Sequence, residues 1–419
     1  MSLSIRDALL PDGRTASVTV EGNRITEIGP KREADATIDG RGKALLPGFV
    51  NTHTHAAMTL LRGYADDMDL KDWLAKRIWP AERKLTPEAV YWGTKLACLE
   101  MIKSGTTCFN DMYFHMDRAA QAVEETGLRA VLSEGFIDLG DAARAEKELR
   151  ATETFLRHLD GRKKDRITGA VGPHAMYTVS EPSLVALREL AEARDRLVHI
   201  HVSETKGEVD DARKAHGKPP AQYLAGLGIL SPNAVAAHGC WLDDQEVRAV
   251  AGAGAAIAHC PISNMKLATG RAMPLTALRA AGVTVSLGTD GAASNNNLDM
   301  FQTMKVAALL HKFADHRATT APAKEVFAMA TAGGARALHI DAGLVEVGKL
   351  ADLILLDLKR PEMTPAHDVI SNVVYAADGG CVDTVVCDGR VLMEGRRVPG
   401  EAEILREAAA HAAKLLGGT

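Results

Sequence analysis

The sequence has no dense run of basic residues, no long apolar segment and no pair of closely spaced cysteines. Its 419 residues carry a net charge of −5, which is not the positive surface that nucleic-acid binding requires. No apolar run approaches the roughly 20 residues needed to cross a bilayer, and the stretch MSLSIRDALLPDG at the start lacks the pattern of a secretory signal. These absences predict a cytoplasmic protein that binds neither nucleic acid nor membrane.

Two familiar motifs are incomplete. The cysteines form no C-x-x-C pair, so the sequence predicts neither a disulfide framework nor a thiolate zinc site. Residues 343–349 have the G-x-x-x-x-G-K spacing of a phosphate-binding loop, but Leu350 stands where a Ser or Thr would hold magnesium. We therefore expect a turn there.

Short apolar runs alternate with longer helical patterns through the middle of the chain. With 46% hydrophobic and 25% charged residues, the composition is that of a globular protein with a large core. Eight consecutive strand-then-helix units predict an α/β fold, a (β/α)8 TIM barrel, whose chemistry sits at the carboxyl ends of the strands. The strand candidates, in order, are GFVNTHT, TTCFNDM, RAVLSEG, ITGAVGPH, LVHIHVSE, AVAAHG, AAIAHCP and TVSLGTD.

The two ends of the chain have a different pattern. SVTVEGNRITEIGP near the start, and LADLILLDL and CVDTVVCDGRVLMEGRRV near the end, are typical of short strands joined by glycine-containing turns. We predict that residues 1–46 and 346–419 form one small β-sandwich-like domain, with the barrel, residues 47–345, inserted between them. The final stretch EAEILREAAAHAAKLLGG predicts an amphipathic helix that ends in glycine.

Histidines and one aspartate close several of the predicted barrel strands. His53 and His55 lie two residues apart in an extended segment, so their side chains point to the same face. Such a pair alone is more often a hydrogen-bonded feature than a metal site. His201, His238 and Asp290 close three further strands, however, and all of these ends meet at one rim of the barrel. The convergence predicts a metal centre.

Imidazole nitrogens and a carboxylate oxygen suit one Zn²⁺ or Fe²⁺ ion, which would lower the pKa of a bound water molecule to about 7. Glu204 is the candidate proton shuttle, although it could simply be a charge at a helix N-terminus. His238 could also bind the metal, but we prefer a role in orienting water and stabilising developing charge. The four side chains assigned to the metal are His53, His55, His201 and Asp290.

The motifs PGFVNTHTH, HVSE, AAHG, SLGTDG and VGKLADLILLD resemble those of the metal-dependent amidohydrolase superfamily over nearly the whole chain. Longer strings, including GPHAMYT and HCPISNMKLATG, are similar to the branch that contains 5-methylthioadenosine/S-adenosylhomocysteine deaminases and 5'-deoxyadenosine deaminases. The resemblance implies one divalent metal, preferably Zn²⁺, and hydrolytic removal of the adenine 6-amino group of a 5'-modified adenosine. It implies the same four metal ligands, a proton-transferring Glu204 and a catalytic His238. We further expect Asp290 to act in catalysis by accepting the proton that the bound water releases.

The resemblance also implies contacts to the substrate. Glu82 matches an acid that contacts the sugar hydroxyls, and His174 matches a substrate-contacting imidazole. Judged from spacing alone, Glu82 would be a solvated helix residue and His174 a hydrogen-bonded buried histidine. Trp73, Trp79 and Ser294 are further candidates, with packing roles as their alternatives.

The end of the third predicted strand departs from relatives that use arginines against an amino-acid carboxylate. Glu134 lies there, and its charge would repel a carboxylate unless it is itself paired. Arg144 or Arg150 could still reach the substrate tail. We therefore expect an uncharged tail, as in methylthioadenosine or 5'-deoxyadenosine, to be tolerated better than the tail of S-adenosylhomocysteine.

Two alternatives stay open at this stage. The same metal site could act on another heterocycle, such as guanine, cytosine or a chlorinated s-triazine, because the metal ligands do not select the leaving group. The barrel could instead be a non-catalytic scaffold that has lost its chemistry. For an enzyme, the expected partner is a small nucleoside, and the resemblance is consistent with a homo-oligomer.

Overall fold

The computed structural model describes residues 2–161 and 166–417, and within them it has two β-sheets of eight strands each. The strands are β1 (Ser2–Leu9), β2 (Thr15–Glu21), β3 (Arg24–Gly29), β4 (Ala36–Asp39), β5 (Lys43–Pro47), β6 (Phe49–Thr54), β7 (Thr106–Tyr113), β8 (Arg129–Phe136), β9 (Ile167–Pro173), β10 (Leu197–Val202), β11 (Ala234–His238), β12 (Ala256–His259), β13 (Val285–Leu287), β14 (Leu353–Asp357), β15 (Val382–Cys387) and β16 (Arg390–Met393).

Helices lie between the barrel strands and after them. They are α1 (Leu70–Trp73), α2 (Trp79–Glu82), α3 (Pro87–Lys103), α4 (Met116–Thr126), α5 (Ala142–Asp160), α6 (Glu181–Ala193), α7 (Lys206–His216), α8 (Pro220–Gly226), α9 (Asp244–Ala253), α10 (Pro261–Lys266), α11 (Leu275–Ala280), α12 (Met300–Ala314), α13 (Ala323–Ala330), α14 (Ala332–Ala337), α15 (Val369–Tyr375) and α16 (Glu401–Leu416). A 3₁₀ segment (Ala56–Leu61) follows β6, and a π-helical turn (Leu74–Ile78) joins α1 to α2.

Strands β6 to β13 form a parallel sheet in chain order, and hydrogen bonds bring its two edges together. The N–H of Asp290, just beyond β13, donates to the carbonyl of His53 over 2.9 Å, and the Asn51 amide donates to Thr289 Oγ1 over 2.7 Å. Gly288 permits this approach, because a Cβ there would lie 2.8 Å from the His53 Cβ. The eight predicted strands and the nearly closed (β/α)8 barrel are therefore confirmed.

The two chain ends build the second, mixed sheet, as predicted. Its order is β16-β15-β14-β5-β1-β2-β3, with β4 beside β1. Because side chains alternate along β5, Leu46 packs into the large core and Leu45 into a separate small core with Leu353 and Leu355. Strand β5 continues to Pro47, so the chain passes from one sheet to the other at Gly48. The domain limits given above stay a prediction.

Polar contacts join the terminal residues to the barrel. The Arg129 guanidinium, at the start of β8, donates to Asp352 over 2.7 Å and to Asp388 over 2.9 Å. Helix α16 packs on α3, where Lys103 and Glu401 form an ion pair of 2.7 Å. The predicted C-terminal helix is thus confirmed, and it lies against the barrel.

Two further expectations concern single segments. Residues 347 and 348 form a turn, and the chain then enters a bridge at Leu350 instead of a helix, so the segment is not a phosphate-binding loop. Within the described residues, no helix combines the length and the apolar character needed to cross a membrane.

Candidate metal centre and substrate cleft

Four side chains meet at the carboxyl end of the barrel, where the sequence places the metal centre. His53 Nε2 and His55 Nε2 lie 3.5 and 3.4 Å from Asp290 Oδ1. His201 Nε2 lies 3.3 Å from His55 Nε2. Metal bonds of about 2.0–2.2 Å in a tetrahedral site separate neighbouring ligand atoms by roughly 3.4 Å. The spacing of these donors therefore matches that of a shared ion.

The three imidazoles turn their Nε2 atoms inward because each Nδ1 has a partner of its own. His55 Nδ1 donates to the carbonyl of Met112 over 2.6 Å, and His201 Nδ1 donates to that of His174 over 2.7 Å. His53 Nδ1 lies 2.7 Å from His199 Nε2. Such outer contacts fix the ring orientation of metal-binding histidines. His199 is thus a buried imidazole that supports the His53 ring.

Burial keeps the rings of His53 and His201 neutral, which is the form that binds metal. It lowers the pKa of His53 to about 4 and holds that of His201 well below the ordinary value. His53 Nε2 is also buried without a hydrogen-bond partner among the described residues. An unpartnered nitrogen beside two more imidazoles and a carboxylate fits a divalent metal and is costly without one.

Asp290 is held by groups on two sides. Burial alone would raise the pKa of its carboxyl, but the neighbouring His53, His55 and His238 rings hold that pKa well below its usual range. Ser263 Oγ donates to Oδ2 over 2.6 Å, and the Gly291 N–H donates to Oδ1 over 2.7 Å. Asp290 has a left-handed backbone with φ of 64°, a strained conformation typical of functional sites.

A buried aspartate on the neighbouring strand orders the turn that carries His55. Asp111 Oδ1 accepts hydrogen bonds from Thr54 Oγ1 over 2.8 Å and from the Ala56 N–H over 2.7 Å. These two residues flank His55 in the chain. Asp111 therefore helps to set the direction in which the His55 ring leaves β6.

Glu204 and His238 lie beside the metal donors. Burial, with a contribution from the charge of Asp290, raises the pKa of Glu204 to about 8, so its carboxyl holds a proton at neutral pH. His238 Nε2 is 3.8 Å from Glu204 Oε2, and burial lowers the pKa of its ring to about 4. Asn264 Nδ2 contacts His238 Nδ1 at 3.0 Å. A proton donor and a neutral imidazole thus face the same space.

A cleft opens from this centre to the surface and encloses about 690 Å³ including the space open to solvent. Most of the lining is apolar or aromatic, and the polar residues gather at the metal donors. The lining includes seven predicted residues outside the ligand set, namely Trp73, Trp79, Glu82, His174, Glu204, His238 and Ser294.

Glu82 projects into the cleft from the short helix α2. Desolvation raises the pKa of the carboxyl to about 7, and the nearby Tyr113 hydroxyl opposes this shift. Trp73 is buried, and its indole N–H has no partner within the described residues. His174 is half-buried, with Nδ1 2.9 Å from Thr178 Oγ1. Ser294 Oγ donates to the carbonyl of Gly291 over 3.1 Å.

Three residues that we considered for the substrate tail do not line the cleft. Arg144 and Arg150 are exposed on α5, and Arg150 pairs with Glu146. Glu134 turns to the start of α4, where its two oxygens accept the N–H groups of His115 and Met116 at 3.1 and 3.0 Å. The expected repulsion by Glu134 is therefore not the feature that decides which tail fits.

Sequence reasoning missed several residues of the site. Tyr113 and Tyr177 line the cleft, and Ser263 and Asn264 contact Asp290 and His238. Tyr113 ends β7, so its place at a strand end was a usable signal. His259 Nε2 lies 3.0 Å from His311 Nε2 and does not line the cleft.

The barrel and its metal donors together define a class of protein. The chain belongs to the Amidohydrolase family, whose profile matches residues 44–392. It is 56% identical over 384 residues to a 5'-deoxyadenosine deaminase of Methanoregula boonei, covering 92% of this chain and 87% of that protein. It is 50% identical to 5-methylthioadenosine/S-adenosylhomocysteine deaminase 1 of Archaeoglobus fulgidus, covering 96% of each.

A solved structure agrees with the fold. A zinc-bound adenosine deaminase of Xanthomonas campestris superposes with a TM-score of 0.91 at 36% identity, covering 99% of this chain and 98% of that one. The predicted superfamily and its adenosine-deaminating branch are confirmed as the relatives of this chain.

Proposed function

We propose that the protein is a metal-dependent deaminase that hydrolyses the 6-amino group of 5'-modified adenosines. The observation that carries the proposal is the buried Glu204 carboxyl, which lies next to the donors His53, His55, His201 and Asp290 at the base of the cleft. Relatives at 56% and 50% identity are named as 5'-deoxyadenosine and 5-methylthioadenosine/S-adenosylhomocysteine deaminases. The net reaction replaces the amine by a carbonyl oxygen and releases ammonia.

The ion would be held by His53, His55, His201 and Asp290, and Zn²⁺ is our first choice because the donors are nitrogen and oxygen and a similar solved structure holds zinc. A divalent metal at this place supplies Lewis acidity that lowers the pKa of water to about 7. Fe²⁺ accepts the same donors, so metal analysis must decide between the two ions.

The residues of the chain account for the proton transfers. Glu204 gives its proton to N1 of adenine as water oxygen adds to C6, because its raised pKa keeps the carboxyl protonated at neutral pH. Asp290 accepts one proton from the added water, and the Glu204 carboxylate passes it to the amine, which leaves as ammonia. The remaining proton on the C6 oxygen returns to Glu204, which forms the carbonyl and restores the protonated carboxyl. His238, held by Asn264, orients the water and stabilises the charge on its oxygen.

The rest of the cleft selects the nucleoside. Glu82 is placed to accept hydrogen bonds from sugar hydroxyls, and Trp73 has a free indole N–H to donate. Among the described residues that line the cleft, none is lysine or arginine. A zwitterionic tail would therefore lose its water without gaining a charged partner. We infer that methylthioadenosine and 5'-deoxyadenosine are better substrates than S-adenosylhomocysteine.

A steady-state ammonia assay on the metal-loaded protein tests the proposal. We expect turnover of 5'-deoxyadenosine and methylthioadenosine, with a lower kcat/KM for S-adenosylhomocysteine, and guanine, cytosine and an s-triazine as negative controls. Glu204→Gln should keep the metal and lose turnover. Absence of ammonia from all of the adenosines would refute the proposed activity, and preference for a free base would favour the alternative heterocycles. The cytoplasmic location and the homo-oligomeric state stay predictions for fractionation and sedimentation to check.

A further inference from the structure

The catalytic Glu204 follows a strained residue. Strand β10 ends at Val202, and Ser203 then has φ of 51°, in the left-handed region that residues with a Cβ rarely adopt. Such strain persists where the surrounding structure enforces it. The direction of the Glu204 side chain therefore depends on whatever holds this turn.

Glu208 holds it with both carboxylate oxygens. Oε1 accepts the Ser203 N–H over 2.9 Å, and Oε2 accepts the Glu204 N–H over 2.8 Å. The Glu208 side chain is buried, so neither N–H has water as a ready substitute. The backbone N–H groups of two adjacent residues in the Ser203–Glu204 turn are thus fixed by one side chain.

This arrangement is not an ordinary helix cap. Thr205 caps α7 by accepting the Glu208 N–H, and the spacing T-x-x-E predicts that the glutamate reaches back to the N–H of Thr205. Helix α9 does show that reciprocal pattern, since Glu246 Oε2 accepts the Asp243 N–H over 3.1 Å. Glu208 instead accepts the N–H groups of Glu204 and Ser203, which lie one and two residues before Thr205.

A second buried carboxylate holds the same turn from the other side. Ser203 Oγ donates to Glu246 Oε1 over 3.0 Å, and the Ala221 N–H donates to that same oxygen over 3.1 Å. Ser203 is therefore held at its backbone by Glu208 and at its side chain by Glu246. The contacts come from α7 and α9, so the turn is fixed between two helices.

We propose that Glu208 is a positioning residue that acts through the backbone of Ser203 and Glu204 to place the Glu204 carboxyl in the cleft. Its catalytic consequence depends on the deaminase function proposed above, whereas its effect on the turn does not. Without Glu208, Ser203 loses a constraint on its left-handed conformation, and Glu204 moves away from His238. Small displacements of a catalytic group cost rate far more than they cost substrate binding.

A double-variant cycle tests this role. Glu208→Gln keeps the volume of the side chain, but its NH₂ group cannot accept one of the two N–H groups. We expect kcat on 5'-deoxyadenosine to fall between about 10-fold and 100-fold, with smaller changes in KM. Metal content should be unchanged. Because Glu208 acts through Glu204, the residual rate of E204Q/E208Q, measured in single turnovers with excess enzyme, should equal that of E204Q.

Asp299→Asn is the matched control. Asp299 also accepts two backbone N–H groups, from Phe301 over 2.8 Å and from Gly379 over 3.1 Å, but it does not line the cleft. It should lose stability with little loss of kcat. Equal losses of kcat in both single variants, or independent losses in E204Q and E208Q that multiply in the double variant, would overturn the inference.

Crystal structures of wild type and E208Q supply a readout that does not need activity. The inference requires the Ser203–Glu204 turn to shift in E208Q while the four metal donors stay in place. An unmoved turn contradicts it, even if the wild type proves inactive on every adenosine. Inactivity of the wild type would refute the proposed function alone.

Discussion

Asn264 Nδ2 lies 3.0 Å from His238 Nδ1, and both side chains are buried. The contact fixes the rotation of the imidazole and leaves Nε2 directed at the space shared with Glu204. In this orientation the amide donates to Nδ1, so the hydrogen of the neutral ring lies on Nε2. Asn264 therefore controls which His238 atom faces the substrate and in which protonation state.

Asn264→Leu should reduce kcat/KM while leaving the metal bound. Outer contacts of this kind typically account for about 10- to 100-fold in activity, and Asn264 does not belong to the four metal donors. Kinetics together with metal analysis checks this expectation. Asn233→Leu is the control. Asn233 precedes the start of β11, at the end of the strand away from His238, so this variant should retain activity. Normal kcat/KM in Asn264→Leu would show that His238 needs no such support.

Glu82→Gln should weaken discrimination in favour of sugar hydroxyls. Wild type is expected to prefer 5'-deoxyadenosine over its 2',3'-dideoxy analogue, because Glu82 in the cleft accepts hydrogen bonds from the two hydroxyls. Above pH 7, where the Glu82 carboxyl is ionised, hydrogen bonds to its charge make this preference roughly 10- to 100-fold. In Glu82→Gln the ratio of the two kcat/KM values should fall toward unity. An unchanged ratio would remove Glu82 from the sugar site.

Much of the fold could be predicted because its signals are local. Each barrel strand is a short apolar run, and the polar residue that ends it, such as His201 or Asp290, marks the rim by its position. Parallel strand ends must meet at one rim, so distant residues could be placed together without coordinates. The strands of the terminal sheet could be predicted because they are short and joined by glycine-containing turns.

The remaining features depend on contacts between distant segments. Nothing near Asn264 in the sequence indicates that it meets His238, and the helix position of Arg144 does not say which side of α5 faces the cleft. Glu134 was placed correctly at a strand end, but its partner is the start of α4. The T-x-x-E spacing before Glu208 predicts a cap, whereas the folded chain redirects the carboxylate.

Glu134 should make stability depend on pH. Burial raises the pKa of its carboxyl to about 7 in the folded protein, opposed by hydrogen bonds from Met116 and His115. Between the unfolded value near 4.5 and 7, the folded state retains a proton that the unfolded state has lost, so stability falls as pH rises. Glu134→Gln lacks this titration.

Urea unfolding of wild type and Glu134→Gln at pH 5 and pH 8 measures this effect. The stability of the variant relative to wild type should be greater at pH 8 than at pH 5. A relative stability that stays constant, or that favours wild type more strongly at pH 8, would contradict the assigned titration.

The buried contact between Arg129 and Asp352 should matter for stability. Asp352→Ala leaves the Arg129 guanidinium with Asp388 as its remaining carboxylate partner, and breaking a buried pair costs about 3–5 kcal/mol. Denaturant unfolding at constant pH checks the value. Lys76→Ala removes an exposed pair with Asp72 and should cost less than about 1 kcal/mol. Equal effects of the two substitutions would mean that the buried pair does not stabilise the join between the two sheets.

The metal centre can be tested directly by X-ray diffraction from crystals grown without chelators, with data recorded on both sides of the zinc absorption edge. We expect one anomalous peak at about 2.0–2.2 Å from His53 Nε2, His55 Nε2, His201 Nε2 and a carboxylate oxygen of Asp290. A signal at the iron edge in the same place would identify the ion as iron and leave the proposed site unchanged. No ion at these four atoms in crystals soaked with Zn²⁺ and Fe²⁺, or an ion bound by other residues, would contradict the proposed catalytic centre.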